Sequence, residues 1–276
     1  IASNTKFLAV VKAFAYGNDA EEIALYLQEL DIDYFAVAYT SEGINLRKAG
    51  VTKPILVLHP LPISFKALIK NCLEPNIYNQ KVLNEFIEVA KNEGQNNYPI
   101  HLKFNTGLNR LGFDISDLEY IHSKIENTSA VKIKSMFSHL AASEDLSERS
   151  FTLNQITIFK NIISKFESMF GFLPMIHMCN TSGILNYPEA HFDMVRSGIG
   201  LYGFGNSEEE DKNFKPIASL KSVISQIHHI KKGESVGYNR AFKSEAEQRT
   251  ATIPIGHADG ISRIYGNGKG YVIING

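Results

Sequence analysis

The sequence has 276 residues, 44% hydrophobic and 21% charged, enough for one large α/β domain and part of another. Its 28 basic and 29 acidic residues give a net charge of −1 with no basic tail or stripe, which excludes a nucleic-acid partner drawn in by long-range attraction. Two cysteines, Cys72 and Cys179, are too few for a disulfide framework and fit a reducing cytoplasm, and no apolar run reaches the ~20 residues of a membrane helix.

Taken in chain order, short apolar runs alternate with helix-like stretches. A first strand is predicted over Phe7–Val11, then a helix over 20–30 with Ile23, Leu27 and Leu30 on one face. A strand over Tyr34–Ala38 and a helix over 41–49 ending at Gly50 follow, then a strand over Pro54–Leu58. A weaker strand near Asn76–Tyr78, a helix over 79–93, and strands over Pro99–Phe104 and Val131–Phe137 come next. The helix over 152–169 and strands over Leu173–Met178 and Met194–Arg196 complete eight β-then-α units. Right-handed crossovers make such a series a parallel sheet, and eight units in about 200 residues favour a (β/α)8 TIM-type barrel. An open doubly wound sheet is the competitor, but the first turn reads KAFAYG (12–17) and lacks G-x-G-x-x-G.

After Pro216 the texture becomes alternating and rich in Gly-containing turns, an all-β reading. The expected organisation is therefore a barrel over 1–213 and an incomplete, mostly β C-terminal domain over 214–276. KFLAVV (6–11) opens the chain almost at once, and YVIING (271–276) reads as a strand arriving at a turn. Both ends are expected to be truncated, an internal portion of a longer polypeptide.

Barrel enzymes work where their strands end, and Lys12 follows the first strand directly. On position alone a lysine that caps a strand and reaches solvent is the commoner reading. The local sequence reverses that weighting. VVKAFAYG (10–17) resembles the cofactor-lysine motif of alanine racemases, commonly VVKANAYGHG. The stretches HLKFNTGLNRLGFD (101–114), FSHLAASED (137–145), HMCNTSG (177–183) and MVRSGIGLYG (194–203) match the same family in the same order. GESVGYNRAF (233–242) and IPIGHADGISR (253–263) continue the match into the second domain.

The resemblance implies a pyridoxal 5'-phosphate enzyme that interconverts L- and D-alanine, supplying D-alanine for bacterial cell-wall peptidoglycan. Lys12 would carry the cofactor and act as a base on one face of the substrate's Cα. Tyr238, supplied by the partner protomer of a homodimer with shared active sites, would serve the opposite face. Tyr16, Thr181 and the backbone N–H groups of Gly198 and Ile199 would hold the phosphate, Thr181 replacing the family's usual serine. Arg196 would face the ring nitrogen, which stays unprotonated beside a guanidinium and becomes a weaker electron sink. His139 would lie beneath the ring or orient Arg196, and Asn180 would touch the cofactor. Arg110 would meet the substrate carboxylate, and Lys103 aligns with a lysine that many members carry carbamylated.

The sequence departs from the pattern at Phe14, Asn18, Asn105 and His257. The family's Met-Asp segment for the substrate carboxylate would lie beyond Gly276. Neighbouring readings are a broader amino-acid racemase, a decarboxylase of similar plan, and a non-catalytic cofactor carrier, against which Tyr238 and the second domain argue. A metal hydrolase using His101, His139 and His177 is the remaining alternative, with no acidic ligand placed beside them and no metal expected.

Overall fold

A computed structural model describes residues 1–274, and the chain separates into two compact units, Ile1–Ile217 and Ala218–Gly276. In the first unit eight parallel strands close into a barrel in simple sequential order. They are β1 (Lys6–Val10), β2 (Tyr34–Val37), β3 (Ile55–Val57), β4 (Glu74–Ile77), β5 (Tyr98–Lys103), β6 (Val131–Phe137), β7 (Met175–His177) and β8 (Met194–Ser197). The ring shuts by pairing β1 with β8, with Leu8 opposite Arg196 and Ala9 opposite Ser197.

Alternation along the strands divides each one between two environments. Outward residues such as Ala9, Phe35, Ile55 and Leu102 join the helices in one continuous apolar core. Those helices include Ala20–Glu29, Thr40–Ala49, Gln80–Asn92, Leu118–Glu126 and Arg149–Phe170. Inward residues differ around the ring. Leu8, Tyr34, Ala36, Leu56 and Met194 form a small apolar cluster on one side of the barrel. On the other side Asn76, His101, Lys103, Ser135, His177 and Arg196 are buried polar groups.

The turn after β1 is unusual. Ala13, Phe14, Ala15 and Tyr16 all lie in the left-handed region, with φ between 50° and 58°, so the chain makes one left-handed helical turn without a glycine among them. Each such L-residue costs roughly 1–2 kcal/mol. The turn is held by its surroundings: Ala15 N–H donates to Val11 O at 3.1 Å, and Ala13 N–H donates to the Glu42 carboxylate at 2.7 Å. The other Glu42 oxygen accepts from Ala38 N–H and Tyr39 N–H at 2.6 and 2.9 Å, so one carboxylate ties the end of β2 to the turn after β1.

The second unit contains two antiparallel pairs, β9 (Gln226–Ile230) with β12 (Gln248–Thr252) and β10 (Ser235–Val236) with β11 (Phe242–Lys243). Of the strand expected over 271–276, Tyr271–Ile274 takes no regular structure, and the last two residues lie outside the described residues. Alternating apolar residues make a strand only where a second strand accepts their hydrogen bonds. Among the described residues no helix is long and apolar enough to cross a membrane.

The left-handed turn makes a prediction whose sign is diagnostic. Ala13 is exposed, so Ala13→Gly should raise stability by about 1 kcal/mol through relief of the backbone, while Ala13→Val should lower it by at least about 1 kcal/mol. Chemical unfolding midpoints measure both; a right-handed helical turn would instead lose about 1 kcal/mol on Ala13→Gly.

Candidate active site

A cavity of about 510 Å³ opens where the strands end, within the size range of small-molecule sites. Lys12 reaches it from the end of β1, Lys103 from β5, His139 from just after β6, Asn180 and Thr181 from after β7, and Arg196 from β8. Tyr16, Arg110, Gly198 and Ile199 complete the expected set around the same space. No aspartate or glutamate lines it. Tyr238, the remaining expected residue, belongs to the second unit and is fully exposed there.

One end of the cavity is a nest of small donors. The Thr181 hydroxyl lies 3.2 Å from that of Ser197 and accepts long contacts of 3.4 Å from the N–H groups of Gly198 and Gly200. A side-chain carbon added at Gly198 would sit 2.0 Å from the Tyr16 hydroxyl, and one at Gly200 would sit 2.7 Å from Ser197 Oγ. A larger residue at Gly198 would displace the Tyr16 hydroxyl, and one at Gly200 would press on Ser197 and Thr181, so glycine keeps these hydroxyls where they are. Such a group of hydroxyls and backbone N–H donors suits a phosphate. Asn180 does another job: its Oδ1 accepts from Gly183 N–H at 2.9 Å and from the Ser143 hydroxyl at 2.7 Å, capping the short helix Thr181–Asn186.

The other end is built around Arg196. Its Nη2 donates to the carbonyls of Met178 and Ser138 at 2.8 and 2.9 Å and to His139 Nδ1 at 3.1 Å, while Nη1 donates to His177 Nδ1 at 2.7 Å. Its Nε–H has no protein partner among the described residues, and the residue lines the cavity. Burial lowers the guanidinium to about 10, so it stays charged at neutral pH. Burial, followed by the charges of Arg196, Lys103, Arg110 and Lys12, pushes His139 well below the usual histidine range, so its ring is neutral and accepts from Arg196. The Phe137 ring lies 5.4 Å from the guanidinium and stacks on His177 at 4.7 Å.

Lys103 is buried at 7% exposure, and its ammonium stands 5.9 Å from the Phe137 ring. Burial first, then the positive charges of Arg110, Arg196 and Lys12, lower its pKa to about 8. The remaining histidines do not make a metal centre. His101 and His177 are joined to Ser135, His139 is joined to Arg196, and no cluster of His, Cys, Asp or Glu suits a metal among the described residues.

Sequence reasoning did not identify Glu42, Ser135, Phe137 or Ser197 as parts of this apparatus. Ser197 carried a signal, since it lies inside the MVRSGIG stretch beside Arg196. Glu42 carried none, because the partner that ties it to the turn after β1, Ala13, lies 29 residues away in the chain.

Comparison with known proteins bears on the whole chain. The model of the alanine racemase N-terminal domain matches residues 1–205, and that of the C-terminal domain matches 217–276. An alanine racemase of Treponema denticola is 34% identical over 266 residues, covering 94% of this chain and 70% of that protein. Alanine racemase 1 of Clostridium acetobutylicum is 34% identical over 280 residues, covering 100% of this chain and 72% of its own length. Among solved structures, the alanine racemase of Clostridium difficile 630 superposes with a TM-score of 0.85 at 30% identity, covering 96% of this chain and 70% of that one. With the barrel, the cavity and both domain matches agreeing, the chain belongs to the alanine racemase family.

Proposed function

We propose that the protein is a pyridoxal 5'-phosphate-dependent alanine racemase, which interconverts L- and D-alanine and supplies D-alanine for peptidoglycan. The observation that carries this reading is the cavity itself: a lysine, a buried arginine and a hydroxyl-and-glycine nest share one space with no acidic side chain. The donor set fits the cofactor. Lys12 would hold its aldehyde carbon, Tyr16, Thr181, Gly198 and Ile199 its phosphate, and Arg196 its ring nitrogen, with His139 and Asn180 fixing the surrounding shell. When bound, the group supplies the electron sink that acidifies the substrate's Cα–H.

The chain's own residues then have defined tasks. Racemisation needs a proton removed from one face of Cα and returned on the other, so a single base cannot suffice. Lys12 Nζ holds or moves the proton on one face, and the Tyr238 hydroxyl does so on the other. Tyr238 is fully exposed on its own unit, consistent with presentation to a second protomer in a homodimer with shared sites. Arg110 meets the substrate carboxylate. Arg196 offers a fixed positive N–H that does not give up its proton at working pH.

Lys103 is proposed to be carbamylated. Its neutral amine nitrogen adds to the carbon of carbon dioxide and one proton is released, leaving a carboxylate where Arg110, Arg196 and Lys12 otherwise repel an ammonium.

These assignments have direct checks. Borohydride reduction of the cofactor-loaded protein followed by peptide mass spectrometry should place the adduct on Lys12; an adduct elsewhere, or none on a loaded sample, overturns the anchor. Lys12→Ala and Tyr238→Phe should each lower racemisation by at least about 10²-fold. Random reassortment of the two variant protomers should restore roughly a quarter of the parent rate, because half the dimers are hybrids with one intact site. No recovery in verified hybrids would refute the shared site. With 13C-bicarbonate, a carbamate resonance absent from Lys103→Ala should strengthen as pH rises through about 8, because the amine deprotonates there.

A further inference from the structure

A line of polar side chains inside the barrel plays no part in the chemistry above. Glu74 opens β4 at the N-terminal rim, and Arg196 sits near the opposite rim on β8. Four hydrogen bonds connect them. Glu74 Oε2 lies 2.6 Å from His101 Nε2, and His101 Nδ1 lies 2.6 Å from Ser135 Oγ. Ser135 Oγ lies 3.0 Å from His177 Nε2, and His177 Nδ1 lies 2.7 Å from Arg196 Nη1. His101, Ser135 and His177 are fully buried.

The chemistry of the groups fixes the direction of each link. A guanidinium only donates, so His177 Nδ1 accepts. Burial, then the charge of Arg196, holds His177 well below the usual histidine range, so the ring is neutral with its one proton on Nε2. That Nε2–H donates to Ser135 Oγ. The serine's own hydrogen then has one acceptor left within reach, His101 Nδ1. His101 is therefore protonated on Nε2 and donates to the Glu74 carboxylate. Every donor points from the arginine towards the glutamate.

This polarity answers a deficit at Arg196. Its direct partners are two imidazoles and two carbonyls, and no carboxylate touches it among the described residues. A buried cation without a counter-charge is costly, and aligned hydrogen bonds in a low-dielectric interior transmit part of the compensation. We infer that Glu74 is a positioning residue for Arg196, acting across the barrel through His101, Ser135 and His177 to lock the His177 tautomer and the direction of the Arg196 Nε–H. Its catalytic consequence rests on the function proposed above; the polarity of the chain does not.

The test uses the whole chain without added cofactor, labelled with 15N at histidine and arginine. Long-range 1H–15N spectra should show His101 and His177 protonated on Nε2 and bare at Nδ1. Glu74→Gln keeps an acceptor at the far end but removes its charge, and should shift the Arg196 Nε–H resonance. Ser135→Ala, a small change in the middle of the line, should shift it in the same direction, and serves should Glu74→Gln fold poorly. In the loaded enzyme, Glu74→Gln should lower kcat by about 10-fold with KM for alanine within about 2-fold. Either histidine protonated at Nδ1, or an Arg196 resonance that neither substitution moves, overturns the inference. Absence of racemisation by the parent protein would instead overturn the proposed function and leave these spectra as stated.

Discussion

The constraint on which the site depends is an excess of positive charge around one cavity, two of its cations, Lys103 and Arg196, being buried. The chain as a whole is nearly neutral, at −1, yet Lys12, Lys103, Arg110 and Arg196 share one cavity without an acidic neighbour. Like charges gathered around one cavity repel, most of all where they are buried. The lowered pKa of Lys103 records that repulsion. An arrangement of this kind is stabilised by anionic groups supplied from outside the chain. The empty charge balance is thus a description of the ligands as much as of the protein.

Two other features serve the same end. The left-handed turn stores backbone strain beside Lys12 and is held by the hydrogen bond that Ala13 N–H donates to Glu42, so the lysine leaves β1 on a fixed path. The barrel interior is divided between an apolar half, which packs, and a polar half, which orients Arg196 from behind. Rigid first contacts supported by a second layer of hydrogen bonds are what a site needs in order to align a proton donor with a reacting carbon.

The barrel was legible in the sequence because strands buried on both faces read as unbroken apolar runs, and Phe7–Val11 and Tyr34–Val37 are of that kind. Lys12, Tyr16, Lys103, Arg110, His139, Asn180, Thr181, Arg196, Gly198 and Ile199 were legible because they lie within short motifs at or just after strand ends, whereas His59, which lines the same cavity, lies in no such motif. The left-handed turn was not, since Ala-Phe-Ala-Tyr contains no residue that favours positive φ and only tertiary contacts impose it. Neither was the line from Glu74 to Arg196, whose links join residues 27, 34, 42 and 19 positions apart. The terminal run at 271–274 misled for the opposite reason: its pattern is that of a strand, but a ladder is a property of two segments.

The seam between β1 and β8 has a consequence for assembly of the molecule. Lys12 and Tyr16 stand on one side of it and Thr181, Arg196 and Gly198 on the other, so the ligand-holding groups come from opposite ends of the barrel's chain. Contacts of such long sequence separation form late and slowly. A partly wound ring owns the lysine or the phosphate nest, but not both in register. A small molecule that grips both sides acts as a clasp, favouring the closed ring by mass action in proportion to the logarithm of its concentration over its dissociation constant. Ligand supply would then govern how much intact protein persists, as well as how fast it turns over.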